Sequence, residues 1–155
     1  IRFKESDVRS VGRTAIGVRG IRLADKDKVV SLIVAESDDP ILTATEKGYG
    51  KRTQLDEYRA QARGGSGVIS IKTSDRNGQV VGAIQVTDED EMMLISDKGT
   101  LVRARAADVS IIGRNTQGVT LINIADDEAL VSVAKIAETE DDEEGTEEVE
   151  VKSEE

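Results

Sequence analysis

Three times along the chain an arginine stands four residues ahead of a Gly-Val pair. Arg13 precedes Gly17-Val18, Arg63 precedes Gly67-Val68, and Arg114 precedes Gly118-Val119. The glycines lie 50 and then 51 residues apart. Other positions keep the same register: Arg2, Arg52 and Arg103; Asp7, Glu57 and Asp108; Ile21, Ile71 and Ile122; Asp25, Asp75 and Asp126. After a slip of one residue, Val30, Val81 and Val131 correspond as well. A repeat of this length is one supersecondary unit that buries its apolar surface against its neighbours, so the period constrains the fold more than any single motif does.

Each unit reads as short strands. "VVSLIVA" (29–35), "ILTAT" (41–45), "VISIKT" (68–73) and "VVGAIQV" (80–86) are rich in β-branched residues and bounded by turn-forming residues. Asn77-Gly78 has the composition of a type I′ hairpin turn, and Lys47-Gly48 and Lys98-Gly99 mark matching turns one unit apart. Several runs are apolar on consecutive residues, which predicts sheets covered on both faces. No segment carries a 3.6-residue apolar stripe. About four strands per fifty residues predicts an all-β array of propeller-like, four-stranded blades, with repeats of about 1–40, 41–90 and 91–137. The Trp-Asp and Gly-His signatures of WD40 blades are absent. The chain offers roughly three blades, fewer than a closed propeller needs.

Charge separates a body from a tail. The net charge of −10 resides in residues 138–155, "ETEDDEEGTEEVEVKSEE", with eleven acids and one lysine. Residues 1–137 hold the remaining 20 basic and 20 acidic side chains. The tail is expected to be disordered, because such a run has too little apolar surface to offset the entropy of ordering. The chain has no Cys and no His. That excludes thiol nucleophiles, Ser-His triads, disulfides and the usual structural zinc sites, and it fits a reducing compartment. No apolar run approaches the roughly 18 residues that cross a bilayer. The opening "IRFKESD" carries no start methionine and no signal pattern, so a piece of a longer protein is expected.

At this point the residues resemble the family of C-terminal domains of bacterial DNA gyrase A. The similarity is carried by "VRSVGRTAIGVRGIRL" (8–23), "ILTATEKGYGKRT" (41–53), "GVISIKTSDRNGQVVGA" (67–83) and "GTLVRARAADVSIIGRNTQGV" (99–119), together with the acidic tail. The resemblance implies a β-pinwheel whose neighbouring blades exchange strands and whose basic rim binds and wraps double-stranded DNA. It implies a non-catalytic segment of an ATP-dependent type II topoisomerase. In that enzyme gyrase A assembles with gyrase B and a second gyrase A as A2B2, works on the chromosome in the bacterial cytoplasm, and uses ATP and Mg2+ outside this segment. One departure stands out. The family's basic heptapeptide, Gln-Arg-Arg-Gly-Gly-Lys-Gly, is approached only by "QARGGSG" (61–67), where Ala62 and Ser66 replace two cations. The corresponding domain of topoisomerase IV, and a propeller-type protein-interaction module, are the alternatives.

The residues agree with that implication where they speak. The glycine loops lack Walker spacing, and no helix follows them, so Gly64, Gly65 and Gly67 read as turn formers. Phe3, Tyr49 and Tyr58 are the only aromatics, too few to stack single-stranded bases. Nothing reads as a recognition helix for the major groove. What is left is backbone binding by dispersed cations. On the resemblance, the candidate DNA contacts are the motif arginines Arg13, Arg63 and Arg114, with Arg19, Arg22, Lys51, Arg52, Lys72, Arg103 and Arg105. A hydrogen bond to a neighbouring loop, or mere surface decoration, is the alternative for the motif arginines. An ion pair is the alternative for Arg52 and Arg103, since an acid recurs five residues after each. No catalytic residue and no metal site is expected; Asp88 to Glu91 lack the spacing of a calcium loop. For the tail two readings stand: it folds back on the basic rim and competes with DNA, or it serves solubility alone.

Overall fold

The computed structural model describes residues 1–136. The acidic tail therefore lies outside the described residues. Those residues form seven strands and three single 3-10 turns. Strands β1 (Ile41–Thr45), β2 (Tyr49–Thr53) and β3 (Val80–Gln85) belong to the second unit. The third unit contributes β4 (Glu91–Ser96), β5 (Leu101–Arg105), β6 (Val119–Thr120) and β7 (Leu130–Lys135). In both units the first strand is central and antiparallel to its neighbours, giving the orders β3-β1-β2 and β5-β4-β7. The β1–β2 and β4–β5 turns end on Gly48 and Gly99 at φ of 77° and 86°. Their N–H groups donate to Thr45 and Ser96, a left-handed closure for which glycine is the natural residue.

The central strand β1 is buried along its whole length, as its consecutive apolar and threonine residues predict for a strand covered on both faces. Strand β4 buries Met92, Leu94 and Ser96 and leaves the alternate residues half covered. The core joins both units through Leu42, Ala44, Val86, Met92, Leu94 and Leu130, with Val133 from β7. At Gly82 on β3 an added Cβ would stand 3.0 Å from Val133 Cγ1, so the inner strands of adjacent units pack almost backbone to side chain.

Strand exchange is visible directly. The first sheet is four-stranded because β6, from the third unit, pairs with β2 of the second, Tyr49 opposite Thr120 and Gly50 opposite Val119. This is the pinwheel connection. It explains the last motif glycine: Gly118 sits at φ 83°, and a Cβ there would lie 2.6 Å from the Gly50 carbonyl oxygen.

Three sequence expectations are corrected. Residues 29–35 and 68–73 are not strands. The counterparts of 29–35 in the later units, β3 and β7, each pair with the first strand of their own unit. The described residues of the first unit begin at the position of β2, so 29–35 has no such neighbour here; Val29, Leu32 and Val34 are exposed and Ser31 Oγ accepts only the Ala83 N–H. The 68–69 segment corresponds to β6, whose partners lie 69 and 71 residues earlier in sequence, a place that 68–69 does not find within this chain. Asn77-Gly78 is not a type I′ turn, because only Gly78 has positive φ. Asn77 is instead fully buried. Its Oδ1 accepts the Ser74 N–H, while Nδ2 donates to the carbonyls of Lys72 and Gln117. A side chain that tethers the second unit to the third has replaced the hairpin.

Candidate nucleic-acid interface

The junction between successive units sorts the repeated cations. At the first junction Arg2 donates from Nη1 to the carbonyls of Leu55 and Tyr58, at 3.0 and 3.4 Å, at the start and just past the end of the 3-10 turn of the second unit. At the next junction Arg52 repeats the contact one unit on: its Nε donates to Val109 at 2.8 Å, and Nη1 meets Asp88 at 2.5 Å. The backbones repeat too, since Gln61 N–H donates to Arg2 and Ile112 N–H to Arg52. Isolated parallel bridges join Arg2 to Ala60 and Arg52 to Ile111. Arg52 is 4% exposed and therefore leaves the set of candidate DNA contacts. Its ion pair is with Asp88, not with Glu57 five residues on, because the 3-10 turn carries Glu57 to the backbone of Arg114.

Lys51 is the clearer correction. Its side chain is fully enclosed, and its ammonium donates to Gly113 O at 2.6 Å, Arg114 O at 2.5 Å and Thr116 Oγ1 at 3.1 Å. All three acceptors belong to the loop that carries the third Arg-x-x-x-Gly motif. Burial lowers the Lys51 pKa from 10.5 to about 8; the nearby Glu57 carboxylate opposes the fall and the Arg114 charge adds to it. A lysine so enclosed fastens one unit to the next and cannot reach a ligand.

The motif arginines fall into two groups. Arg63 donates from Nη1 to Arg19 O at 2.5 Å and from Nε to Asp7 O at 3.1 Å. Arg114 donates from Nη1 to Ile69 O at 2.7 Å, and its backbone N–H donates to Glu57 Oε2. Arg19 and Ile69 hold the same place in their units, two residues past the motif glycine, so each of these arginines reaches back one unit to an equivalent carbonyl. Both are half-buried. Arg13 has no preceding unit in this chain to reach and is exposed.

Arg19, Arg22 and Lys72 are exposed, and among the described residues their side chains hold no ion pair or hydrogen bond. Arg22 and Lys72 occupy one place at successive junctions: the Arg22 N–H donates to Gly65 O, the Lys72 N–H to Thr116 O, 51 residues further. Arg103 and Arg105 are exposed as well but are tied, Arg103 to Glu91 and Arg105 to Asp108 at 3.0 Å. The structure thus places three of the ten candidates (Arg19, Arg22, Lys72) as open cations, two as paired surface cations and four as junction contacts, while Arg13 stands at a motif position whose junction is not within this chain.

Two features of these junctions carry no mark in the sequence. Asn77 has the composition of a turn residue, and nothing around it signals a tether. Arg76 lies outside the repeated positions, yet its guanidinium stands 4.9 Å over the Tyr49 ring and lowers the phenol's pKa through a hydrogen bond and its charge. Among the described residues no group of three or more His, Cys, Asp or Glu could hold a metal ion. No helix among them is long and apolar enough to cross a membrane.

Residues 1–36, 39–87 and 90–137 each match the family described as DNA gyrase C-terminal domain, beta-propeller. The DNA gyrase A protein of Klebsiella oxytoca is 61% identical over 144 residues, covering 93% of this chain and 16% of that protein. The chain therefore spans about one sixth of the length of that relative. A solved DNA gyrase A C-terminal domain superposes with a TM-score of 0.81 at 33% identity, over 87% of this chain and 46% of that one. The C-terminal domain of DNA topoisomerase IV gives 0.79 at 26% identity, over 86% of this chain and 42% of that one.

Proposed function

The chain belongs to the family of DNA gyrase C-terminal domains, and from that premise we propose that it binds and wraps duplex DNA for a gyrase A protein. It grips the sugar–phosphate backbone through exposed cations. The parent is an ATP-dependent type II topoisomerase that negatively supercoils chromosomal DNA in the bacterial cytoplasm. It works as A2B2 with gyrase B, and ATP and Mg2+ are used outside this segment. The observation that carries the reading is the pair Arg22 and Lys72: the same place at successive junctions, each time an exposed cation with no partner among the described residues.

Elementary energetics favour this use. A protein that contacts only phosphates releases counterions, and log K falls with log salt by about 0.9 for each phosphate neutralised. Smooth bending of a 20–30 bp segment by 40–90° costs about 1–6 kcal/mol. A rigid body offering several cations in series can offset that cost, whereas a single flexible arm cannot. The strand exchange between β2 and β6 and the Arg52 and Lys51 contacts supply that rigidity. The topoisomerase IV reading shares the fold, but the 61% identity to a gyrase A protein favours gyrase.

The test is a salt titration of duplex binding. Affinity for a mixed-sequence duplex of about 30 bp, measured from 50 to 300 mM salt, is expected to fall linearly on logarithmic axes, with a slope of about −3 or steeper and no sequence preference. A flat profile would overturn the reading in favour of a protein-docking module.

A further inference from the structure

We propose that the duplex track on this chain is polar: it runs over the first two units and ends before the third, which presents no open cation. This deepens the DNA-binding reading above and rests on it.

The inference comes from comparing equivalent places. Two residues and five residues past the motif glycine, the first unit has Arg19 and Arg22, the second Ile69 and Lys72, the third Thr120 and Asn123. The cations at these junction places therefore number two, one and none. The spans matched as separate units carry the same trend. Residues 1–36 hold eight cations against five acids, 39–87 seven against five, and 90–137 five against seven, for net charges of +3, +2 and −2.

Pairing sharpens the contrast. All five cations of the third span are held. Lys98 meets Asp127, Arg103 meets Glu91, Arg105 meets Asp108, Lys135 meets Asp90, and Arg114 donates to the Ile69 carbonyl. Four of the five ion pairs among the described residues are thus inside this unit. In the first span Arg19 and Arg22 are exposed with no such partner among the described residues. Releasing Arg103 or Arg105 for a phosphate would leave Glu91 or Asp108 beside a polyanion, so each new contact would be cancelled by a like-charge repulsion. A duplex laid along the junctions gains counterion release at the first two units and none at the third.

The experiment compares two triple variants of the chain, Arg19→Gln/Arg22→Gln/Lys72→Gln and Lys98→Gln/Arg103→Gln/Arg105→Gln, by salt-titrated duplex binding. Both lower the net charge by three, so only the placement of the charge distinguishes them, and thermal melting confirms that each is folded. The first should flatten the salt slope by about 2–3 and weaken binding at 0.1 M salt by roughly two orders of magnitude. The second should stay within about fivefold of the parent chain with an unchanged slope. Equal losses, or a larger loss in the second, would overturn the polarity while leaving DNA binding intact. Should the parent chain itself fail to bind duplex, the functional reading and the polarity fall together.

Discussion

Replacement of Lys51 by methionine tests whether this buried cation fastens two units together. The side chain is fully enclosed and donates three hydrogen bonds into the 113–116 loop. Bonds to a charged donor contribute about 1.5 kcal/mol each at the low end, so about 4.5 kcal/mol is lost. Against this stands relief of the buried charge. A pKa lowered from 10.5 to about 8 corresponds to about 3 kcal/mol at neutral pH, and to about half that if solvent at the rim of the junction screens it. The Lys51→Met variant should therefore be about 2 kcal/mol less stable at pH 7, which lowers the melting temperature by about 8 °C in a domain of this size. The pH dependence gives a sharper signature. The unfolded chain keeps the Lys51 proton up to about 10.5 and the folded chain releases it near 8, so the stability owed to Lys51 rises as pH climbs between those values. The gap between parent and variant should widen by about 1 kcal/mol from pH 7.5 to 9.5 in urea melts. A variant equal to or more stable than the parent at pH 7, with a gap that does not change with pH, would refute the reasoning.

Gly118→Ala forces a Cβ to within 2.6 Å of the Gly50 carbonyl oxygen at a backbone φ of 83°, so the β2–β6 exchange should weaken by about 2–3 kcal/mol. Amide exchange at Leu121, whose N–H donates to the Gly48 carbonyl across this junction, would report it, and parent-like protection would contradict it. Arg52→Met leaves Asp88 and the Val109 carbonyl without their donor and should cost about 3 kcal/mol in chemical denaturation, whereas Arg103→Met, on the surface, should cost less than about 1 kcal/mol. Asp90 is pushed up by burial, but hydrogen bonds from Lys135 and Thr87 outweigh this and hold its pKa below 3.8. Ser96 and Thr100 likewise hold Glu128 below 4.5. Both carboxylates stabilise the folded state above those values, and the contribution is lost as pH falls through the depressed pKa. Acid unfolding of the third unit should accordingly be blunted in Asp90→Asn, as circular dichroism would show.

The architecture is legible where it depends on periodicity. Fifty-residue spacing, β-branched runs and Lys-Gly turns mark the unit, its central strands and its hairpins, because side-chain pattern decides those locally. What pairs with what is less legible. Residues 29–35 have the composition of a strand, but a strand requires a hydrogen-bonded neighbour, and this chain does not supply one. The cations show the same division. Arg63 and Arg114 look like phosphate ligands, yet their acceptors are the main-chain carbonyls of Arg19 and Ile69, groups that every residue has and no sequence pattern advertises. Lys51 stands next to Arg52 in a basic stretch, and only the third-unit segments that pack around β2, 113–116 at Lys51 and Val109 at Arg52, reveal that both are buried. Arg19, Arg22 and Lys72 are legible as loose charge because nothing in the fold contradicts that.

The sorting of the arginines into fasteners and open cations is tested most directly by observing their side chains while duplex is added. Arginine Nε–H resonances, assigned and followed through a titration with a 30-bp duplex at low salt, should move at Arg19 and Arg22. Those of Arg52, Arg63, Arg103 and Arg105 should hold still. Shifts concentrated at Arg52 and Arg63, with Arg19 and Arg22 unmoved, would contradict it.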